Sequence, residues 1–277
     1  YTHNARIAER WKIGRIMLAG DAAHIMPVWQ GQGYNTGMRD ATNLAWKLAY
    51  VVNGKGSDAL LETYQSERPL HAKAMIDLSV TAGRIFSPRN AFLAGLRDVT
   101  TWVLNYIPPV KRYFMEMRFK PMPFYENGLV VHEKVRRKNS PVGRMFIQPK
   151  VRNRAGEVKL LDDALSQGFA LLAWGADPNY WLNPKSRAIL QALGAKIVTL
   201  KPVVQIDRSV DMSDATDVLG DEQMRLKEWF GQHPGSIVLL RPDRFVAGIS
   251  YPIEVNELIA AVADKMGLAL DAGGKAK

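Results

Sequence analysis

The run GDAAHIMPVWQGQGYNTG, residues 20–37, holds the residue types with the clearest chemical use. Asp21 follows a short apolar segment and Gly20. A carboxylate placed there, at the carboxyl end of a sheet strand, can accept hydrogen bonds from sugar hydroxyls, and the same residue could equally cap a helix. Gly31 and Gly33 let the backbone pass against a flat or bulky ligand with no Cβ in the way. A helix starting behind them would aim unpaired N–H groups and its positive end at that ligand, stabilising an atom that becomes anionic during reaction. The spacing argues against a pyrophosphate loop: Gly31, Gly33 and Gly37 read G-x-G-x-x-x-G, one residue longer than the dinucleotide fingerprint. The preceding IMPVWQ contains Pro27 where that fingerprint needs a strand running into its first glycine.

The elements that would hold these residues follow from periodicity. RIMLA, residues 15–19, reads as a buried strand ended by Gly20. Ala41, Leu44, Ala45, Leu48, Ala49 and Val52 fall on one face of a helix that starts near Asn35 or Thr36 and closes at Asn53 and Gly54. A second helix starts behind Ser57 as N-cap and, after an interruption near Pro69, continues through HAKAMIDLS. Residues 87–149 mix helical segments with IPPVKR, KPMPFYENG and NSPVGR, the pattern of a connector that wraps other parts of the protein. From Val151 the order is more regular: LLDDALSQG as helix, FALLAW as strand, KSRAILQALG as helix, AKIVTL as strand, DEQMRLKEWFG as helix, SIVLLR and RFVAG as a hairpin, and EVNELIAAVADKMG as a closing helix. That is the order of a thioredoxin-like domain, and without a cysteine it has no redox activity.

Composition narrows the classes. The 277 residues are 47% apolar and 23% charged, as in ordinary globular chains, and the absence of Cys excludes disulfides and thiolate metal sites. It agrees with a reducing cytoplasm. No apolar run reaches the length of a membrane span, and no signal peptide opens the chain. The first residue is Tyr1, and the chain reads as a piece of something longer. Of the net charge of +10, an excess of nine lies between Lys111 and Lys159, where thirteen Lys and Arg face four Glu. No nucleic-acid motif accompanies that cluster, which reads as a solvated basic linker or a surface for an acidic partner domain; its field would also favour an anionic substrate or cofactor.

Gly20-Asp21-Ala22-Ala23-His24, Pro27, Gly31-Gln32-Gly33-Tyr34-Asn35-Thr36-Gly37, Asp40, Asn43-Leu44 and Trp46-Lys47-Leu48 together closely resemble the second flavin-binding motif of class A FAD-dependent aromatic hydroxylases. Within that group the whole chain resembles the carboxy-terminal half of the 3-(3-hydroxyphenyl)propionate/3-hydroxycinnamate hydroxylases, including HAKAMIDLS, PPVKRYFMEMRFKPMP and RPDRFVAG. The resemblance implies an α/β fold, with residues 1–86 as the carboxy-terminal part of an FAD-binding Rossmann-like hydroxylase domain. Residues 87–150 would be a helical, Pro-rich connector and 151–277 a thioredoxin-like domain lacking cysteines.

It also implies roles. Asp21 would bind the ribityl chain of FAD with Gly20 and Ala22 beside it. The backbone of Gly31, Gln32, Gly33, Tyr34 and Asn35 would lie along the pyrimidine edge of the isoalloxazine, and Pro27 would shape the turn at the flavin, where Val28 stands in place of the second proline of many relatives. His24 is read as a structural hydrogen-bonding residue, Trp46 and Trp102 as core, no residue as a catalytic base and none as a metal ligand. The parent enzyme would take NADH (or NADPH), O2 and a small phenolic acid, and place one oxygen ortho to the phenol to give 2,3-dihydroxyphenylpropanoate. It would be cytoplasmic, with no nucleic acid or membrane partner, and could be a homo-oligomer. The amino-terminal FAD-binding portion and most of the substrate pocket would lie outside this chain, which alone would hydroxylate nothing. The alternatives are an FAD monooxygenase for another phenol, a noncatalytic interaction fragment, and a basic nucleic-acid binder.

Overall fold

The computed structural model describes residues 3–134, 139–208 and 216–269. Part of the basic run, residues 135–138, and parts of the expected thioredoxin-like domain, residues 209–215 and 270–277, lie outside the described residues, as does Tyr1. The chain divides into two units, one of Tyr1–Leu44 with Tyr64–Pro123, the other of Ala45–Thr63 with Phe124–Lys277.

In the first unit, β1 (Arg6–Ile7) pairs antiparallel with β4 (His24–Ile25), and β2 (Lys12–Ile13) with β3 (Ile16–Met17). The expected buried strand at 15–19 is therefore only the two residues of β3, and Ile16 is 72% exposed. An apolar run is buried as a strand only where neighbouring strands and a packed face enclose it, and here its partner is a two-residue ladder across Gly14. The core of this corner is instead Trp11, fully buried against Tyr64 and His24, with its backbone N–H donating to Gln65 Oε1 at 2.5 Å.

Helix α1 (Gln32–Val52) starts at Gln32, earlier than the periodicity suggests, and ends at Asn53 and Gly54 as expected. Its buried face matches the expected one only in part, at Leu44, which is buried, and Leu48, which is half-buried. Thr36, Asp40, Asn43 and Lys47 are buried, whereas Ala41, Ala45 and Ala49 are exposed and Val52 is 83% exposed. Hydrophobic periodicity cannot foresee a face whose burial is sustained by paired charges and hydrogen bonds. Helix α2 (Asp58–Phe86) runs through Pro69 without the expected interruption. The proline forfeits one backbone hydrogen bond, but its neighbours Glu67, Arg68 and His71 are buried, and Asn43 donates to Glu67 at 2.7 Å, so side-chain contacts hold the turn in place.

Helices α3 (Ala91–Asn105) and α4 (Pro108–Met115) complete this unit. Asn90 caps α3 by accepting from Phe92 N–H, and Pro108 opens α4 at a position that needs no donor. Neither helix contains a buried residue. With the end of α2 they line an apolar groove of about 880 Å³ that includes Leu78, Ala82, Leu96, Leu104 and Phe114. Trp102, expected in the core, is 64% exposed.

The second unit is built on a seven-stranded mixed sheet. Its members are β5 (Lys150–Arg152), β6 (Val158–Leu160), β7 (Ala170–Trp174), β8 (Lys196–Pro202), β9 (Asp217–Asp221), β10 (Ile237–Leu240) and β11 (Val246–Ser250), in the order β11-β10-β7-β8-β9-β5-β6. β7, β8 and β9 are parallel, and the other pairings are antiparallel. The helices are α5 (Leu161–Leu165), α6 (Pro184–Leu193), α7 (Arg225–Gln232) and α8 (Val255–Lys265). The succession of strand, helix, strand, hairpin and closing helix is the one expected from the sequence; β5, β6 and β9 were not foreseen.

Alternation explains why ALLAW and IVLL read as continuous apolar runs. Ala170 and Leu172 point to one core with Val198 and Phe230, while Leu171 and Ala173 point to the other with Ile189 and Ile259. Helix α7 starts later than expected because Asp221 ends β9 and its carboxylate accepts from the N–H groups of Gln223 and Lys227. The second half of the expected connector lies along β11, through bridges of Val131 to Gly248 and Met145 to Phe245.

Candidate functional site

Gly20–Ala22 form one 3-10 turn and Val28–Gln30 another. Gly20 has φ +58° and Gly31 φ +60°, the left-handed region where glycine carries no Cβ penalty. Gly31 ends the second turn, its N–H donating to Val28 O, and α1 begins at the next residue. Pro27, buried, sets the entry to that turn with its carbonyl accepting from Ser79 Oγ at 2.5 Å. Gly37 has a different task. A Cβ there would lie 3.2 Å from Gly20 Cα, so this pair allows α1 and the Gly20 turn to touch backbone to backbone. The long glycine spacing thus combines a turn at Gly31 with a packing contact at Gly37.

Asp21 is exposed within its turn. Capping is not its role: the position before the turn is Ala19, and no side chain caps it. Tyr34 (78% exposed) and Asn35 face outward on the first turn of α1, Gly33 is half-buried, and Gln32 is buried. The N–H groups of Gly33, Tyr34 and Asn35 have no carbonyl four residues earlier within the helix. This turn therefore offers directed donors and a positive helix end to an anionic or carbonyl-bearing edge.

Beneath these residues lies a buried polar cluster. Asp40 Oδ1 accepts from Arg68 Nε at 2.8 Å, and its Oδ2 lies 2.8 Å from His24 Nε2 and 3.1 Å from the Gly20 amide nitrogen. Burial opposes the charge of Asp40, but the hydrogen bond from His24 and the Arg68 guanidinium outweigh it and hold the carboxyl below its usual range. An ionised carboxylate only accepts, so His24 donates from Nε2. Arg68 also donates to Thr36 O and lies 3.4 Å from His71 Nδ1. Burial, then the cations of Arg68 and Arg39, push His71 down to about 4, so it is neutral at pH 7.

His24 is accordingly a structural hydrogen-bonding residue. Sequence reasoning gave Asp40 no role and did not single out Arg68 or His71. The available signal was the polar series Thr36, Asp40, Asn43 and Lys47 at helical spacing along α1. Among the described residues no group of His, Asp and Glu could hold a metal ion, and no helix is long and apolar enough to cross a membrane.

Residues 1–79 match the family model of an FAD binding domain, and residues 143–265 that of an HcaD C-terminal domain. The chain is 55% identical over 269 residues to the 3-(3-hydroxy-phenyl)propionate/3-hydroxycinnamic acid hydroxylase of Klebsiella pneumoniae (strain 342), covering 97% of this chain and 48% of the relative. The protein of the same name from Escherichia coli (strain SMS-3-5 / SECEC) is 54% identical over 268 residues, with the same coverage. In these matches the chain is similar to the carboxy-terminal halves of hydroxylases that bear this name. It spans about half the length of these curated hydroxylases.

Solved hydroxylase structures share the fold. The flavin-dependent monooxygenase PieE, in complex with FAD and substrate, superposes with a TM-score of 0.67 at 17% identity over 96% of this chain and 50% of its own. Aklavinone-11 hydroxylase with FAD and aklavinone gives a TM-score of 0.63 at 23% identity, over 95% and 46%.

Proposed function

We propose that this chain supplies the ribityl and isoalloxazine side of the flavin site in a longer FAD-dependent monooxygenase. The reading takes residues 1–86 as the flavin-binding part, 87–150 as a connector and 151–277 as a thioredoxin-like domain. The observation that carries it is the pairing of an exposed carboxylate, Asp21, with the exposed first turn of α1, both held against each other through Gly20 and Gly37. These groups suit FAD in kind. Asp21, flanked by Gly20 and Ala22, would accept from ribityl hydroxyls; the N–H groups from Gln32 to Asn35 would face the carbonyl and nitrogen edge of the ring; Pro27 and Gly31 fix the approach of that backbone.

Bound FAD, reduced by NADH, would supply the oxygen-activating chemistry. This chain's own contribution is to orient the ring and to place the helix end where negative charge gathers. The proposed reaction is hydroxylation of a phenolic phenylpropanoid, 3-(3-hydroxyphenyl)propanoate to 2,3-dihydroxyphenylpropanoate, with O2; the support is the identity to relatives bearing that name. Dependence on NADH would place the enzyme in the cytoplasm.

The test joins the chain behind the amino-terminal portion of the Klebsiella relative. The fused enzyme should bind FAD and oxidise NADH in step with product formation from 3-(3-hydroxyphenyl)propionate, ahead of other phenols in a panel. The 277 residues alone, given FAD, NADH and the same acid, should not. A fused enzyme that folds without taking up FAD, or turnover by the chain alone, would overturn the reading.

A further inference from the structure

The geometry points to Asp40, held by Arg68 and His24, as the positioning residue that fixes the Gly20–Ala22 turn and so the placement of Asp21. Three observations carry this. First, one carboxylate ties three separate segments: Oδ2 takes the Gly20 N–H at 3.1 Å and His24 of β4 at 2.8 Å, while Oδ1 takes Arg68 of α2 at 2.8 Å. Second, Asp40, His24 and Arg68 all have fully buried side chains, so the geometry is enclosed and water does not compete for it. Third, apart from the packing of Gly20 on Gly37, the turn has little other support. Its cap position carries no side-chain bond, and its one closing backbone bond is Ala23 N–H to Gly20 O. The glycine that receives the carboxylate also lies closest to Gly37 of α1, and Arg68 reaches the Thr36 carbonyl two residues after Tyr34. Asp40 thus sets the Asp21 turn and the first turn of α1 relative to each other, without itself being exposed.

This inference rests on the proposed flavin role of Asp21, yet its first test does not need flavin. Amide hydrogen exchange on the 277-residue chain compares the parent with Asp40→Asn, which keeps the shape and removes the charge. The Gly20 amide should exchange at least tenfold faster in the variant. The amides of Ala8 and Leu18, which donate to Ala23 O and Trp11 O, should keep their rates. Arg68→Lys, which retains a cation but cannot reach both Asp40 and Thr36, should give the same selective change to a smaller degree and serves if Asp40→Asn does not fold. An unchanged Gly20 rate, or an equal acceleration of all three amides, overturns the inference.

In the fused enzyme, Asp40→Asn should also raise the FAD dissociation constant at least tenfold, while Asp77→Asn, in an exposed pair with Lys73, leaves it unchanged. An FAD affinity indifferent to Asp40→Asn overturns the inference too. A parent fused enzyme that binds no FAD defeats the functional reading, and the exchange rates then decide the positioning role by themselves.

Discussion

At Gly37 the usual rule for a helix interior reverses. Replacing a helical glycine by alanine gains about 1 kcal/mol where space allows. Gly95, in α3, has open space around it, so Gly95→Ala should raise the unfolding free energy by roughly 0.5–1 kcal/mol. Gly37→Ala should lose that gain or turn destabilising, because its Cβ would press on Gly20 Cα at 3.2 Å. Denaturant melts of the two variants check the contrast. His71 gives a second prediction. With its folded pKa pushed from 6.5 to about 4, the unfolded chain takes up a proton first as pH falls. Stability should therefore decline between about pH 6.5 and pH 4, by up to roughly 3 kcal/mol at full effect. Asp40 acts in the same direction at lower pH: its stabilisation is present above the ordinary carboxylate range and is lost as pH falls through its depressed value. Melts of the parent and His71→Gln across this range check the sign, the parent losing more stability than the variant between pH 6.5 and 4. The glycine turn at Gly31 was legible in the sequence because turn chemistry is local. Asp40 with Arg68 was not, because their pairing joins residues 28 positions apart.

The elements show the same division. β7, α6, β8, β10, β11 and α8 follow the apolar runs closely, since both faces of that part of the sheet are covered. β9, with the sequence DVLGD, was hidden because it carries few apolar residues and ends in a capping aspartate. The buried face of α1 was read only in part, at Leu44, because charge pairing sustains the burial of the rest. Helices α3 and α4 are the opposite case, apolar and yet without a buried residue. A face of that kind, lining an apolar groove, binds hydrophobic probes in water. The chain should enhance the fluorescence of an anilinonaphthalene sulfonate dye without added denaturant. The double variant Leu93→Glu/Leu96→Glu should lose most of that signal and keep its unfolding midpoint, as both side chains line the groove and are exposed. Retained fluorescence would place the dye elsewhere.

For the whole molecule, the two family matches fall on different stretches of one chain, residues 1–79 and 143–265, and the fold agrees with hydroxylases solved with FAD. The likeness to an FAD binding domain was legible because the motif from Gly20 to Leu48 is contiguous. The central claim is that Asp21 and the first turn of α1 form one side of a flavin site. The most direct measurement is the FAD dissociation constant of the fused enzyme with and without Asp21→Ala, read by flavin fluorescence. A lost hydrogen bond to a charged group is worth about 1.5–3 kcal/mol, so the variant should bind FAD roughly ten- to a hundredfold more weakly. Because Asp21 is exposed, its fold should be unchanged. Equal affinity in the two proteins would contradict the account.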